Sequence, residues 1–470
     1  MAPARPPWHN TRMDAPTLQL RHEGGTVVVT GADDRFLADL PHVRPDPRTG
    51  VHRAEGRHYR ALVEFLRQEK IAHVDHARAW EPTPWALRAS RDPFPHQREA
   101  LDTWWKTGGR GVVVLPTGTG KTFLAVLAIQ KLGRPALVVT PTIDLLRQWY
   151  GELHLHFGVP VGLMGGGDHD IQPLTVTTYD SAHIHLERWS DRFTLLVLDE
   201  CHHLPGPTYQ LIAVGALAPY RLGLTATPER NDGGEVVYPG LIGPTVYRRE
   251  IHELAGDYLA DYHVERIYVE LSADEQERYR KAREEYRAFL DVRGISMGGT
   301  HGWQRFIQET SRSREGRLAF QAYREQRRLA LAAPAKLEVL ADLLLQHRAD
   351  RSLVFTHDNA TVYEISRRFL VPAITHQTKA KERRAILDGF ASGEYPVVVT
   401  SRVLNEGVDV PSANVGVILS GSGTVREHVQ RLGRLLRKHG DKRATLYEVV
   451  SRGTGEEFTS ERRRQHDAYR

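Results

Sequence analysis

The chain has a single cysteine, Cys201, among 470 residues. One thiol excludes an intrachain disulfide framework, a cysteine zinc finger and a cysteine-ligated iron–sulfur cluster, and it points to a reducing compartment. Apolar runs of membrane-spanning length are also missing. The stretch Met1–Thr17 carries proline and arginine but no apolar core of the kind a secretory signal needs. Strong charge bias is absent too: 63 basic residues stand against 58 acidic ones, for a net charge of +5, so a polyanionic partner must be recognised by local patches. What the chain has is length and apolar content, with 40% hydrophobic residues, enough for about two to four domains. The expectation is a soluble intracellular protein of several domains.

The most informative stretch is Leu115-Pro116-Thr117-Gly118-Thr119-Gly120-Lys121-Thr122. A β-branched run, Gly111 to Val114, precedes it as a buried strand, and an apolar segment of helical length, Phe123 to Leu132, follows and closes at Gly133. Strand, glycine loop and helix form a phosphate cradle. Gly118, Thr119 and Gly120 let backbone N–H groups face the phosphates of ATP, Lys121 neutralises charge, and Thr122 offers its hydroxyl to Mg²⁺. Leu115 stands where the strict pattern has its first glycine. Upstream, Gln97 opens a helix and can present a donor and an acceptor to an adenine edge. Downstream, the apolar strand Phe193 to Leu198 delivers Asp199-Glu200-Cys201-His202. One carboxylate, Asp199, can anchor Mg²⁺ through its water shell while Glu200 polarises the attacking water. Cys201, His202 and His203 are adjacent in sequence, which does not suit a tetrahedral zinc site.

Along the chain, residues 1–16 read as a disordered leader and 17–84 as a small α/β domain. The latter has strands near Leu18–Leu20 and Thr26–Thr30, a helix from His58 to Lys70, a strand near Ile71–Val74, and a closing linker at Glu81 to Pro84. Residues 85–250 alternate strands and helices around the phosphate loop. Their strands end in hydroxyls, among them Thr142, Thr177 and Thr178, which can face phosphate oxygens at the carboxyl edge of a sheet or serve as ordinary caps. Residues 272–334 read as an inserted helical hairpin with a capping box at Ser272 and Glu275 and an arginine-rich arm, either a nucleic-acid face or a solvated surface. A second α/β rhythm occupies 251–271 and 335–455, without a phosphate loop, and 456–470 forms a tail. In that second rhythm Arg434 and Arg437 lie about one helical turn apart, so both can reach one phosphate, as arginine fingers worth about 10³ to 10⁵ in rate do.

The ordered set resembles the motifs of superfamily 2 helicases and translocases: Gly118 to Thr122, Asp199 to His202, Thr225-Ala226-Thr227, Gly407 to Asp409, and Gln430 to Arg437. Within that superfamily the chain is most similar to the XPB group in its compact archaeal or bacterial form. The residues carrying this are Thr178 to Ser181, Arg221 to Pro228 running into Arg230-Asn231-Asp232, Asn414 to Gly423, and Ser451 to Glu456. The resemblance implies an α/β fold of two RecA-like lobes, parallel sheets flanked by helices, that close on ATP, with an N-terminal damage-recognition domain and a thumb. It implies a DNA-dependent ATPase and 3′-to-5′ helicase that opens damaged DNA in nucleotide excision repair. It also assigns Gly407 and Asp409 to the nucleotide, and His202, Thr225, Thr227, Arg230, Asp232, Thr356, Thr400 and Gln430 to nucleic acid or to coupling. Single-stranded and duplex or damaged DNA, and a nuclease, would be partners of a monomer in a prokaryotic cytoplasm, associated with the nucleoid. The group carries Arg-Glu-Asp where this chain has Arg230-Asn231-Asp232. That difference keeps two other readings in play: a duplex translocase or fork-remodelling and annealing motor without net unwinding, and a damage-binding scaffold switched by ATP.

Overall fold

The computed structural model describes residues 17–88, 92–229, 233–254, 256, 258–259, 261–297, 301–401, 413–420 and 443–464. The chain divides into two compact units, one of Met1–Val114 with Gly120–Arg248 and one of Leu115–Thr119 with Arg249–Arg470. No helix among the described residues is long and apolar enough to cross a membrane.

The first unit begins with a five-stranded sheet in the order Arg44–Asp46, Val51–Glu55, Thr26–Thr30, Leu18–Glu23, His73–His76. Alternation along the strands turns Leu18, Leu20, Val27 and Val29 inward onto Leu62, Val63 and Leu66 of the helix Tyr59–Gln68. The helix falls within the expected span, and the strand expected near Ile71–Val74 begins two residues later. The hairpin pairing Arg44–Asp46 with Val51–Glu55 had no clear alternation to announce it. Leu217, far along the chain, completes this core.

The small domain is seated on the α/β layer that follows it. Gly56 and Gly25 approach the backbone of Gly215 so closely that a Cβ on Gly56 would lie 2.2 Å from the Gly215 carbonyl oxygen. Arg60 donates to the carbonyls of Gly108 at 2.6 Å and Pro219 at 3.3 Å, and its guanidinium lies over the Tyr220 ring. The segment expected to be a linker is held as well: Thr83 N–H donates to Gly133 at 3.0 Å and the Trp85 indole to the Arg134 carbonyl at 2.8 Å.

The α/β layer is an eight-stranded sheet in the order Thr245–Arg248, Arg110–Val114, Tyr220–Thr225, Leu195–Asp199, Ala136–Thr140, Leu174–Thr178, Gly162–Gly165, Asp168–His169. All neighbours are parallel except the last pair. Helices cover both faces of such a sheet, which is why its strands read as unbroken apolar runs. Register pairs Thr225 with Val114, Asp199 with Leu224, and Thr178 with Thr140, so the chemistry-bearing strand ends fall along one carboxyl edge.

The second unit has a six-stranded, all-parallel sheet ordered Asp261–Val269, Arg443–Ser451, Val415–Ile418, Ser352–Phe355, Val397–Thr400, Ala373–Ile374. The strand Asp261–Val269 was not foreseen, and it is one of the longest. Between it and Pro334 stand three helices, Ala273–Arg293, Gly302–Arg312 and Arg314–Leu331, packed on Phe289, Phe306 and Ala319. The expected hairpin is thus broken in its second arm at Ser313, whose hydroxyl caps the third helix by accepting from Gly316 N–H at 2.9 Å. The capping box is present, with Glu275 N–H donating to Ser272 Oγ at 3.3 Å and Ser272 N–H to Glu275 Oε2 at 2.9 Å. Several arginines of this insertion are paired within it: Arg312 with Glu309, and Arg328 and Arg278 with Glu325.

Candidate nucleotide site

The strand Arg110–Val114 leads into the loop and the helix Lys121–Leu132 leaves it. Gly120, at the N-cap, has φ 84° and Gly118 has φ 90°, a region open to glycine and strained for other residues. The Thr119 hydroxyl donates to the Pro116 carbonyl at 2.8 Å and ties the turn. Leu115 is fully buried and not among the residues with positive φ, so the position works as core where the strict pattern has glycine. The N–H groups at the start of this helix, with the half-buried Lys121, give the positive end at which an anion is favoured.

Gln97 is fully buried, and its amide braces this loop: Nε2 donates to the Gly120 carbonyl at 3.0 Å while Oε1 accepts from Phe94 N–H at 2.9 Å. The expected adenine donor and acceptor therefore also have a structural duty that the sequence did not reveal.

Asp199 ends its strand 7% exposed. Its Oδ1 accepts from Glu200 N–H at 3.0 Å and its Oδ2 from the Trp149 indole at 2.7 Å. Burial pushes its carboxyl pKa up, against the opposing pull of the Trp149 bond and the Lys121 charge. Glu200 sits at φ 46°, a strained left-handed conformation for a residue with a side chain, of the sort that clusters at functional sites. Behind it lies a cluster of polar groups around His202. Glu200 Oε2 lies 3.4 Å from His202 Nδ1, the same nitrogen lies 3.1 Å from Thr225 Oγ1, and Thr225 Oγ1 accepts from Thr227 N–H at 3.1 Å. His202, Thr225 and Thr227 thus link the acid pair to the next strand end, which suits coupling better than direct contact with nucleic acid.

The hydroxyls of Thr142 and Thr178 cap helices, accepting from Leu145 N–H and Ser181 N–H, each at 3.2 Å. Thr177, Thr356 and Thr400 are fully buried and their hydroxyls donate inward, to the carbonyls of Met164, Asp358 and Ser401. Buried in this way, the three hydroxyls suit coupling within the fold better than a direct contact with nucleic acid. Arg230, Asp232, Gly407, Asp409, Gln430, Arg434 and Arg437 lie outside the described residues.

Sequence reasoning missed three residues. Trp149 and Tyr179 were given no role at the site, yet one holds the Asp199 carboxylate and the other donates its hydroxyl to the Asp199 carbonyl at 3.0 Å. Arg221 is fully buried, with its guanidinium donating to the carbonyls of Ala213, Ala216, Ala218 and Leu241. A charge inside an otherwise apolar strand was the available signal. It ties together the loop ends on which the small domain rests.

No group of three or more metal-ligating acids, histidines or cysteines occurs among the described residues. The Thr122 hydroxyl and the Asp199 carboxylate are hard-oxygen groups of the kind that Mg²⁺ takes.

Three families match the chain: the Type III restriction enzyme res subunit over residues 90–230, the helicase conserved C-terminal domain over 335–439, and the xeroderma pigmentosum group B helicase damage recognition domain over 20–77. The chain is 42% identical over 407 residues to the "DNA 3'-5' translocase XPB2" of Sulfurisphaera tokodaii, covering 87% of this chain and 92% of that one. It is 30% identical over 395 residues to the "DNA 3'-5' helicase XPB" of Mycobacterium tuberculosis, covering 81% of this chain and 63% of the relative. In fold it is similar to the Pyrococcus furiosus Hef helicase domain, with a TM-score of 0.55 at 20% identity over 78% of this chain and 97% of that one. The Saccharomyces cerevisiae Dbp5 structure bound to RNA and ADP BeF3 is similar to the same degree, TM-score 0.55 at 14% identity, covering 81% and 88%.

Proposed function

The chain belongs to the XPB family of superfamily 2 helicases, and from that premise we propose that it is an ATP-driven 3′-to-5′ DNA helicase or translocase that opens damaged duplex for excision repair. The observation that carries the chemistry is the acid pair at a strand end, with buried Asp199 fixed by two donors and Glu200 Oε2 3.4 Å from the ring of His202, which reaches Thr225. The backbone of Gly118 to Gly120 and the Lys121 ammonium hold the phosphates, and Gln97 contacts the adenine while bracing the loop. Thr122 and Asp199 would hold Mg²⁺, which would supply charge neutralisation on the nucleotide phosphates. Glu200 takes the proton of the attacking water, and Arg434 and Arg437 stabilise charge on the transferred phosphoryl group. His202, Thr225 and Thr227 couple the state of the nucleotide to DNA, together with Arg230 and Asp232. Gly407, Asp409 and Gln430 complete the nucleotide and coupling set.

Opening each base-pair step must overcome about 1.4 kcal/mol of mean stacking free energy. Asn231, in place of the family's glutamate, favours a second reading in which the motor translocates on duplex with little net unwinding. Strand displacement and triplex displacement on the same substrates distinguish the two. The chain would work as a monomer in a prokaryotic cytoplasm, on the nucleoid, handing opened DNA to a nuclease. The direct test is Glu200→Gln: DNA-stimulated ATP hydrolysis falls by about 10² or more while nucleotide binding persists. Undiminished hydrolysis would remove Glu200 as the base.

A further inference from the structure

Trp149 lies on the helix Ile143–Phe157, whose inner face buries Leu146, Trp149, Leu153 and Phe157. Its ring is 1% exposed, and by size and spacing it is an ordinary core residue. Its hydrogen bond is not ordinary. The indoles of Trp85, Trp104 and Trp189 donate to backbone carbonyls, those of Arg134, Arg221 and Ala182, whereas the Trp149 indole donates to a side-chain carboxylate, Asp199 Oδ2, at 2.7 Å. An indole N–H has one hydrogen and no acceptor capacity, so this bond takes all it can offer. Glu200 N–H takes the other carboxylate oxygen at 3.0 Å. One donor on each oxygen resists rotation about the Cβ–Cγ bond and commits a lone pair on each side. The remaining lone pairs are left for a hydrated cation.

We propose that Trp149 is a positioning residue, whose indole N–H holds the Asp199 carboxylate in the rotamer that receives the metal of a bound nucleotide. The inference rests on the reading of Asp199 as the metal anchor. A charge-assisted hydrogen bond in a dry site is stronger than a neutral one, and a buried carboxylate that loses it is free to turn toward any other donor. Trp149 therefore acts on metal engagement and leaves the metal-free grip of the phosphate loop alone.

The test uses the full chain and a fluorescent, non-hydrolysable ATP analogue, whose affinity is measured in EDTA and then with titrated Mg²⁺. Trp149→Phe removes the N–H together with part of the ring. Incorporation of benzothienylalanine at position 149 exchanges only the N–H for sulfur and keeps the shape of the indole. Both changes are expected to leave the affinity in EDTA within about twofold and to reduce the Mg²⁺-dependent gain roughly tenfold. Neither should reduce it further when Asp199→Asn is already present. If the sulfur isostere keeps the full Mg²⁺ gain while Asp199→Asn abolishes it, Trp149 is only core packing and the proposal is overturned. It is overturned too if the isostere weakens binding equally with and without Mg²⁺. If Asp199→Asn itself leaves the gain intact, the metal-anchor reading fails, and the inference falls with it for that distinct reason.

Discussion

Replacing Lys336 with methionine should loosen one edge of the second unit's sheet far more than the loss of one lysine from a surface would. Lys336, 1% exposed, donates from Nζ to the carbonyls of Leu419 at 2.6 Å and Val449 at 2.9 Å, and to Glu456 Oε2 at 2.6 Å. Glu456, 4% exposed, also accepts from Ser451 N–H at 3.0 Å. The ammonium therefore pins the ends of two neighbouring strands, Val415–Ile418 and Arg443–Ser451, to the start of the helix Gly455–Arg464. Lys336→Met leaves the Glu456 carboxylate buried without its cation, which costs about 3–5 kcal/mol. At about 1.4 kcal/mol per factor of ten, amides of those two strands should exchange roughly 10² to 4 × 10³ times faster in hydrogen–deuterium exchange read by mass spectrometry. Local exchange suits a chain of several domains better than a single melting midpoint. The double variant Lys336→Met/Glu456→Met removes both charges and should recover most of the protection, since an apolar pair of similar volume offsets a buried ion pair. Exchange in the single variant within about threefold of the parent, or a double variant looser than the single, would refute the reasoning.

Three further outcomes follow from the geometry. Gly56→Ala places a Cβ 2.2 Å from the Gly215 oxygen and 2.9 Å from the Gly25 oxygen, so it should cost about 1–3 kcal/mol and speed limited proteolysis between the small domain and the α/β layer. His58, stacked on His42 at 3.8 Å, has its pKa lowered to about 4, first by burial and then by the charges of His42 and Arg57. Because the unfolded chain binds this proton more readily, the small domain is most stable above about pH 6.5 and loses stability as pH falls toward 4. The loss should be on the order of 1 kcal/mol at pH 5 after screening at this part-exposed site, and absent in His58→Phe when denaturation is compared at pH 5 and 7.5. Gln97→Ala should weaken ATP binding about tenfold and narrow the preference for ATP over GTP. Equal losses for both nucleotides would mean that the residue only braces Gly120.

Much of the chemistry was legible because it is local. A glycine loop between a strand and a helix, and two acids after an apolar strand, are defined within a dozen or so residues, where backbone geometry follows from the order of residue types. The strand runs before the phosphate loop and before Asp199 were likewise readable from unbroken apolar stretches, which only a sheet covered on both faces tolerates. The strand Asp261–Val269 escaped because its exposed and half-buried residues alternate weakly, and what stabilises it is its parallel partner Arg443–Ser451, remote in the chain.

The amino-acid order by itself determined which segments become strands around the loop, where phosphate can be held, and which acids stand at a strand end. Tertiary structure alone decided what those groups touch. Trp149 and Asp199 are 50 positions apart and Lys336 and Glu456 are 120 apart, and Leu217 fills the core of a domain that ends well before it. Periodicity states that a side chain is buried, and on that evidence Trp149 and Leu153 on the same helix are equivalent. Only the order of strands in the sheet brings one indole within 2.7 Å of the carboxylate and makes that tryptophan part of the site.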